Sequence, residues 1–235
     1  MANDPSAHTA PPPNWGIAVV AAALGCLLLT LGAPRLVAAL LSLESRTVVW
    51  DVYAEAKVAP ATLAGAAADI AAAAAWVRDG EQEGDRGLLL LQQATMTTTA
   101  AERTKMREAA EMAAISALAV APGQPNVWSR LANSRERRGN REGAAAALRM
   151  SMLSGSFSPA LMAPRIELGL RLLPALDAET RALLKRQIRL TWVIKPDFVA
   201  ELSNRPVTGS LVREALAELA EFDLAQFQRL HGNGR

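Results

Sequence analysis

The sequence predicts an all-α protein, with one membrane-spanning helix followed by a domain of antiparallel helical hairpins. Three observations carry that prediction. A charge-free apolar run, Gly16 to Ala33, lies near the N-terminus. Hydrophobic residues make up 51% of the 235 residues and aromatics only 4%, an imbalance owed mostly to alanine, and alanine-rich, aromatic-poor chains favour helix over sheet. Beyond residue 60, apolar residues recur at helical spacing through several segments closed by Gly, Asn or Pro, which is how amphipathic helices and their stops read.

Residues 1–15, MANDPSAHTAPPPNW, hold no Lys or Arg and three consecutive prolines, so they are expected to form an extended or disordered tail. Trp15 stands where an interfacial aromatic would sit. Residues 16–43 form the expected anchor. The charge-free part, 16–33, would be about 27 Å long as a helix, close to a hydrocarbon core of about 30 Å. Arg35 can snorkel to the headgroups from just beyond it, and Pro34 is a candidate kink.

This run has two rival readings. A cleaved signal peptide carries a positive n-region, which this tail lacks. Ala23-Leu24-Gly25-Cys26 is similar to the lipobox of bacterial lipoproteins, but Cys26 is followed by the apolar LLLTLGA, so Cys26 reads as a small residue packed in a membrane helix. Lys and Arg mark the cytoplasmic side, and counting them alone puts the domain there. Only one or two charges make that bias. Short bacterial N-terminal anchors commonly leave the C-terminal domain outside, and the expectation adopted is a bacterial inner-membrane, single-pass protein with a periplasmic domain.

Residues 44–60 are a connector containing Val48, Val49, Trp50, Val52 and Tyr53, either a short strand or, preferred, a helix continuing from the membrane. The domain is expected over 61–230. Ala61–Arg78 is a helix with a wide Ala face, closed by Asp79-Gly80. Glu81–Arg86 reads as a charged link, and a helix starts at Gly87 through LLLLQQ. Thr97–Ala100 interrupts it, and Ala101–Val120 restores the pattern with Ala110, Ala114 and Ala117 on the buried side.

Pro125–Ser158 is the most informative stretch. Val127, Trp128, Leu131 and Ala132 form one helical stripe, Gly139-Asn140 stops that helix, and Ala144, Ala145, Leu148, Ser151 and Met152 line a second. The unit resembles a tetratricopeptide (TPR) repeat. Trp128, Leu131 and Ala132 match the family's opening W-x₂-L-G, and Ala144 with Leu148 match its A-x₃-F step, while Arg135 stands in place of the usual Tyr. Ala110, Ala114 and Ala117, with Pro122 beyond them, resemble the second half of a preceding repeat in the 34-residue register. The resemblance covers about residues 88–195. The stretch from Trp128-Ser-Arg-Leu-Ala through Ser154-Gly-Ser-Phe-Ser-Pro to Arg165 also resembles small TPR-like proteins of bacterial exopolysaccharide gene clusters.

Further on, Pro159–Leu173 and Asp177–Val193 read as helices, the second capped by Asp177 or Thr180. Phe198–Leu202 is a short helical turn. Ser210–Leu230 is a closing amphipathic helix that shields the end of the stack, and residues 231–235 are a loose tail.

Chemistry-bearing residues are sparse. His8 and His231 lie at the chain ends and Cys26 in the apolar run, so the domain lacks the common metal ligands and general bases. No cofactor or metal is expected. Gly80–Gly87 lacks a G-K-[ST] step and reads as a linker, and Glu108, Glu111 and Glu142 read as solvated surface carboxylates. The net charge of +2 calls for no nucleic acid, and no aromatics interleave with the arginines as a single-strand platform needs. Arg181, Lys185 and Arg189 share one helical face, and Arg135, Arg137, Arg138 and Arg141 crowd the central turn. Solubility is the preferred reading of both groups, with an acidic partner, lipid headgroups or an acidic glycan as alternatives. Trp76, Trp128 and Trp192 are expected to be core anchors.

The resemblance implies a non-catalytic scaffold that binds protein partners in or at the membrane through a concave groove, accessory to exopolysaccharide synthesis or export. The predicted groove residues are Asn126, Arg130, Asn133 and Arg137. Two alternatives remain open. One is an accessory subunit of an inner-membrane complex, held by its transmembrane helix. The other is an enzyme acting on glycans through surface carboxylates.

Overall fold

A computed structural model describes residues 15–217 together with 219, 225, 228 and 229. Among the described residues it is built from α-helices and one short 3-10 turn, with no strand. The helix α1, Trp15–Leu41, runs through Pro34 without ending there. Its most apolar window has a mean hydropathy of 2.3 and is wholly unburied, so α1 is long and apolar enough to cross a membrane. The next helix, α2 (Leu43–Tyr53), follows after a single residue, and the Ser42 amide still donates to the Ala38 carbonyl. The connector is therefore helical, and the strand alternative falls away. Glu55, at φ 57°, turns the chain back.

The returning helix is α3, Pro60–Ala74, with Pro at its first position, where the missing N–H costs nothing. One stripe joins α1 and α2 to it. Ala38, Ser42, Ser45 and Val49 are buried on one side, and Leu63, Ala66, Ala67, Ile70 and Ala73 on the other. Ser45 Oγ donates to the Ala66 carbonyl at 3.1 Å.

The expected charged link at Glu81–Arg86 is instead the start of α4, Gly80–Met96. Asp79 does not close α3; its Oδ1 accepts from the amides of Glu81 and Gln82 and so opens α4. Glu81 and Glu83 in the first turn suit the positive end of the helix dipole. The glycines read as a linker are a packing face. A Cβ at Gly84 would lie 2.7 Å from Val127 Cγ2, and one at Gly87 would lie 3.3 Å from the Ala110 carbonyl oxygen. Glycine at these positions lets α5 (Ala100–Val120) and α6 (Pro125–Arg137) approach closely.

The central hairpin forms as its turn residues predict. Gly139 adopts φ +79°, the left-handed conformation glycine tolerates. Asn140 plays a different part from the one expected: its Oδ1 accepts from the Gly143 amide and caps α7, Arg141–Ser154. The 34-residue register survives at buried positions, since Ala110, Ala114 and Ala117 are buried, as are Ala144, Leu148 and Ser151. Leu131 is buried at 2% exposure, and Trp128 packs against the same core from a half-buried position, its Nε1 donating to the Pro122 carbonyl.

Beyond the hairpin come α8 (Pro159–Arg171), a 3-10 turn at Leu173–Ala175 and α9 (Ala178–Ile194). Asp177 caps α9 by accepting from the Thr180 amide at 2.7 Å. The two short helices α10 (Pro196–Ser203) and α11 (Gly209–Leu216) pack on α9. The expected closing helix is not continuous: α11 ends at Leu216 with Ala217 as its cap, and Leu219 is a bend. Trp15, expected in the tail, begins α1; the other tail residues and most positions after Ala217 lie outside the described residues. One core runs from Ala114 on α5 to Leu216 on α11. A smaller one joins α2, α3 and α4 around Val49, Ile70 and Leu89.

Arg165 ties the middle of the stack together. It has no exposed surface. Its Nε donates to Ser151 Oγ, Nη2 to the Ser151 carbonyl, and Nη1 to the Gly155 carbonyl and Gln187 Oε1. Burial pushes the guanidinium down to about 10, so it stays cationic at neutral pH. It sits at the C-terminal end of α7, where free carbonyls and the negative end of the dipole favour a cation.

Candidate functional site

Three of the four predicted groove residues, Arg130, Asn133 and Arg137, line one open cavity of about 360 Å³ formed by α4, α5 and α6. Their spacing along α6 puts them on one face. Leu88 and Leu91 of α4 supply an apolar lining, and Thr104, Arg107 and Glu108 of α5 form the opposite wall. The sequence reading missed these α4 and α5 residues. Leu88 and Leu91 follow Gly84 and Gly87 at helical spacing and extend the same face of α4 towards α5 and α6, but periodicity alone does not say what that face meets.

The cations of this groove are not equivalent. Glu111 accepts from Arg138 Nη1 at 2.8 Å and from Ser134 Oγ at 3.3 Å, and its other oxygen lies 3.7 Å from Arg135 Nε. Arg130 is also engaged: Nη1 donates to the Gly84 carbonyl at 2.7 Å and Nη2 to the Tyr53 hydroxyl at 3.2 Å. Asn133 donates to the Ser129 carbonyl one turn back. Arg107 and Arg137 have no hydrogen-bonded or ion-paired partner among the described residues. They are the charges the groove can offer to a ligand.

Asn126 does not join the other three. It lines a second cavity of about 680 Å³ between α2, α3, α4 and the start of α6, and its Oδ1 accepts from the next amide, that of Val127. Trp50, Tyr53, Asp79, Glu81 and Asp85 border this cleft, with Arg46 as its basic residue. The Tyr53 hydroxyl donates to Asp85 Oδ1 at 3.2 Å, so Arg130, Tyr53 and Asp85 form a chain between the two cavities. Burial raises the Asp85 carboxyl above the usual range, and the Arg130 charge and the Tyr53 hydrogen bond oppose that. Burial also raises Tyr53, again with Arg130 opposing. Half the Tyr53 residue is exposed, so it is the hydroxyl end, held between Asp85 and Arg130, that feels this environment.

Arg181 donates to the Leu173 carbonyl, Lys185 pairs with Glu214 and Arg189 donates to the Ala215 carbonyl, so the basic row on α9 binds its own neighbours. Trp192 is buried at 2% exposure, but Trp76 is 55% exposed and is not the core anchor expected of it. The helix α3 ends two residues before Trp76, which puts the ring outside the α3–α4 packing. Glu108 lines the groove and Glu142 stands exposed in the first turn of α7. Among the described residues, no group of three or more His, Cys, Asp or Glu is placed to hold a metal ion.

The groove thus combines a leucine lining with two arginines, Arg107 and Arg137, that pair with no described residue. No protein-family model matches the chain, and neither a curated protein nor a solved structure matches it.

Proposed function

We propose that this protein is a non-catalytic, membrane-anchored adaptor whose α4–α5–α6 groove takes an amphipathic, acidic helix of a protein partner. The observation that carries this reading is the pairing of an apolar lining, Leu88 and Leu91, with Arg107 and Arg137 on opposite walls. Helices are recognised in grooves through apolar anchors flanked by complementary charge. The proposed setting is the bacterial inner membrane, held by α1, with the domain on the periplasmic side. The resemblance of Trp128–Ala132 and Ser154–Arg165 to TPR-like proteins of exopolysaccharide clusters supports a role in assembling the machinery that makes or exports such a polymer.

A photo-crosslinker at Leu91, used in intact membranes, tests the groove. The expected result is one discrete protein adduct, lost when Arg107 and Arg137 are both changed to Glu, and absent when the crosslinker is moved to exposed Leu153 on α7. Equal adducts from Leu91 and Leu153, or an adduct indifferent to the charge reversal, would refute the groove. Protease added to spheroplasts tests the side: digestion of the domain supports the periplasmic placement, and protection overturns it. A second reading rests on α1 itself. Its apolar window is unburied by the rest of the chain, which leaves it free to pack against a helix of an inner-membrane complex, and a crosslinker at Leu28 reads that contact separately.

A further inference from the structure

We propose that the corner between α3 and α4, with Trp76 at its tip, is seated in the lipid headgroup layer of the bilayer that α1 spans. The domain would then meet the membrane at a second point beside its anchor. This inference rests on reading α1 as a membrane span.

The argument is one of register. The Ser45 Oγ–Ala66 carbonyl bond at 3.1 Å fixes where α3 lies along the α1–α2 rod. The two run antiparallel, since residues 54–59 turn the chain directly back. Ten residues before Ser45 is Arg35, and ten residues after Ala66 is Trp76. At about 1.5 Å rise per residue, Arg35 and the end of α3 at Ala74 stand roughly 15 and 12 Å from the Ser45–Ala66 contact, on its membrane side, and Trp76 follows two residues further on. The halfway pair agrees: Ala38 and Ala73, each seven residues along, are both buried, and α1 packs against α3. Arg35 follows directly on the charge-free part of the span and marks headgroup depth. Trp76 is therefore level with the headgroups.

The surface at that level has the chemistry of an interface. Trp76 is 55% exposed, and Leu36 and Leu40 of α1 are 62% and 63% exposed. Ala71, Ala72 and Ala75 are exposed, as is Arg78, which has no ion pair among the described residues. An exposed indole with a cation two residues away is disfavoured in water, but it is what the boundary between acyl chains and phosphates stabilises. Burial of Trp76 by the domain's own core is ruled out by its exposure, so the bilayer is the partner at hand.

Spin labelling of the full chain in phosphatidylglycerol–phosphatidylethanolamine nanodiscs tests this, because Cys26 is the chain's only cysteine. A nitroxide on Cys26 checks the span itself. Labels on Cys26→Ser/Ala75→Cys and Cys26→Ser/Val193→Cys report the corner and the exposed far side, with Trp76 left in place. The depth parameter, from collisions with oxygen and with a water-soluble nickel chelate, is expected to be deepest at Cys26, intermediate at Ala75 and aqueous at Val193. Changing Trp76 to Ser is expected to shift the Ala75 label towards the aqueous value. A lipid-exposed Cys26 with an aqueous Ala75 label would overturn the seating and leave the anchor standing. An aqueous Cys26 label would overturn the anchor and the seating together.

Discussion

Arg165 grips Ser151 twice, through Nε to the side-chain Oγ at 3.0 Å and through Nη2 to the carbonyl at 2.6 Å. The same guanidinium reaches the Gly155 carbonyl and Gln187, so one buried cation fastens α7, α8 and α9. Removing it to give Arg165→Ala takes the guanidinium donors away from the Ser151 and Gly155 carbonyls and opens a cavity. The expected cost is about 3–5 kcal/mol, read as a lower urea midpoint. Arg165→Lys keeps the charge but not the fork and should fall between. Equal midpoints for the wild type and Arg165→Ala would refute the role.

Gly84 and Gly65 are both helical glycines and should respond with opposite signs. A Cβ at Gly84 would meet Val127 and Gln124, whereas one at Gly65 meets nothing within 4 Å. Gly84→Ala should destabilise by about 1–3 kcal/mol through overpacking. Gly65→Ala should stabilise by about 0.5–1 kcal/mol, because alanine loses less backbone freedom in a helix. Thermal unfolding of the two variants side by side reads the difference.

Glu167 and Arg205 form a two-pronged pair at 2.8 Å on each oxygen, joining α8 to the loop after α10. The Arg205 hydrogen bonds hold the Glu167 carboxyl below its ordinary value of 4.5. The stabilisation is therefore present above pH 4.5 and is lost as pH falls through the depressed value. Both side chains are about one-third exposed or more, so screening limits the effect to about 1 kcal/mol or less. Unfolding free energies measured from pH 6 to pH 3 should show an acid-dependent term that Glu167→Gln abolishes.

Tyr53 is the chain's only tyrosine, so ultraviolet titration reads it alone. Its midpoint should lie above the ordinary 10.0, since burial disfavours the phenolate. The Arg130 charge lowers it, so Arg130→Ala should raise the midpoint further. The Asp85 charge raises it, so Asp85→Asn should bring it down. A midpoint unmoved by either change would mean that the hydroxyl is not held between them.

Much of the fold was legible because local chemistry and tertiary packing agree. Asp177, Gly139 and the alanines of α5 and α7 each act locally in a way that suits the stack around them. The failures fall where a residue's meaning depends on a distant neighbour. Gly80, Gly84 and Gly87 look like a linker until the α5 backbone and the Val127 side chain of α6 are seen against them. No local pattern marks Arg165 for burial, and only the turn after α7 makes it a buried clasp. The groove was half legible: α6 presented its polar face by periodicity, but no local pattern says which sides of α4 and α5 complete it. Arg130 shows the limit of such patterns, since it reaches the groove and also braces Gly84 and Tyr53.

The joint between α1 and α2 has a mechanical corollary. The Ser42 amide bonds back to Ala38, and Ser45 bonds to Ala66 of α3, so α1 joins the domain through a single residue and with no loop between them. Copies set in a bilayer by α1 would all carry the α4–α5–α6 groove at one height and one compass bearing. A partner confined to the same sheet of lipid would then find it by searching two dimensions instead of three.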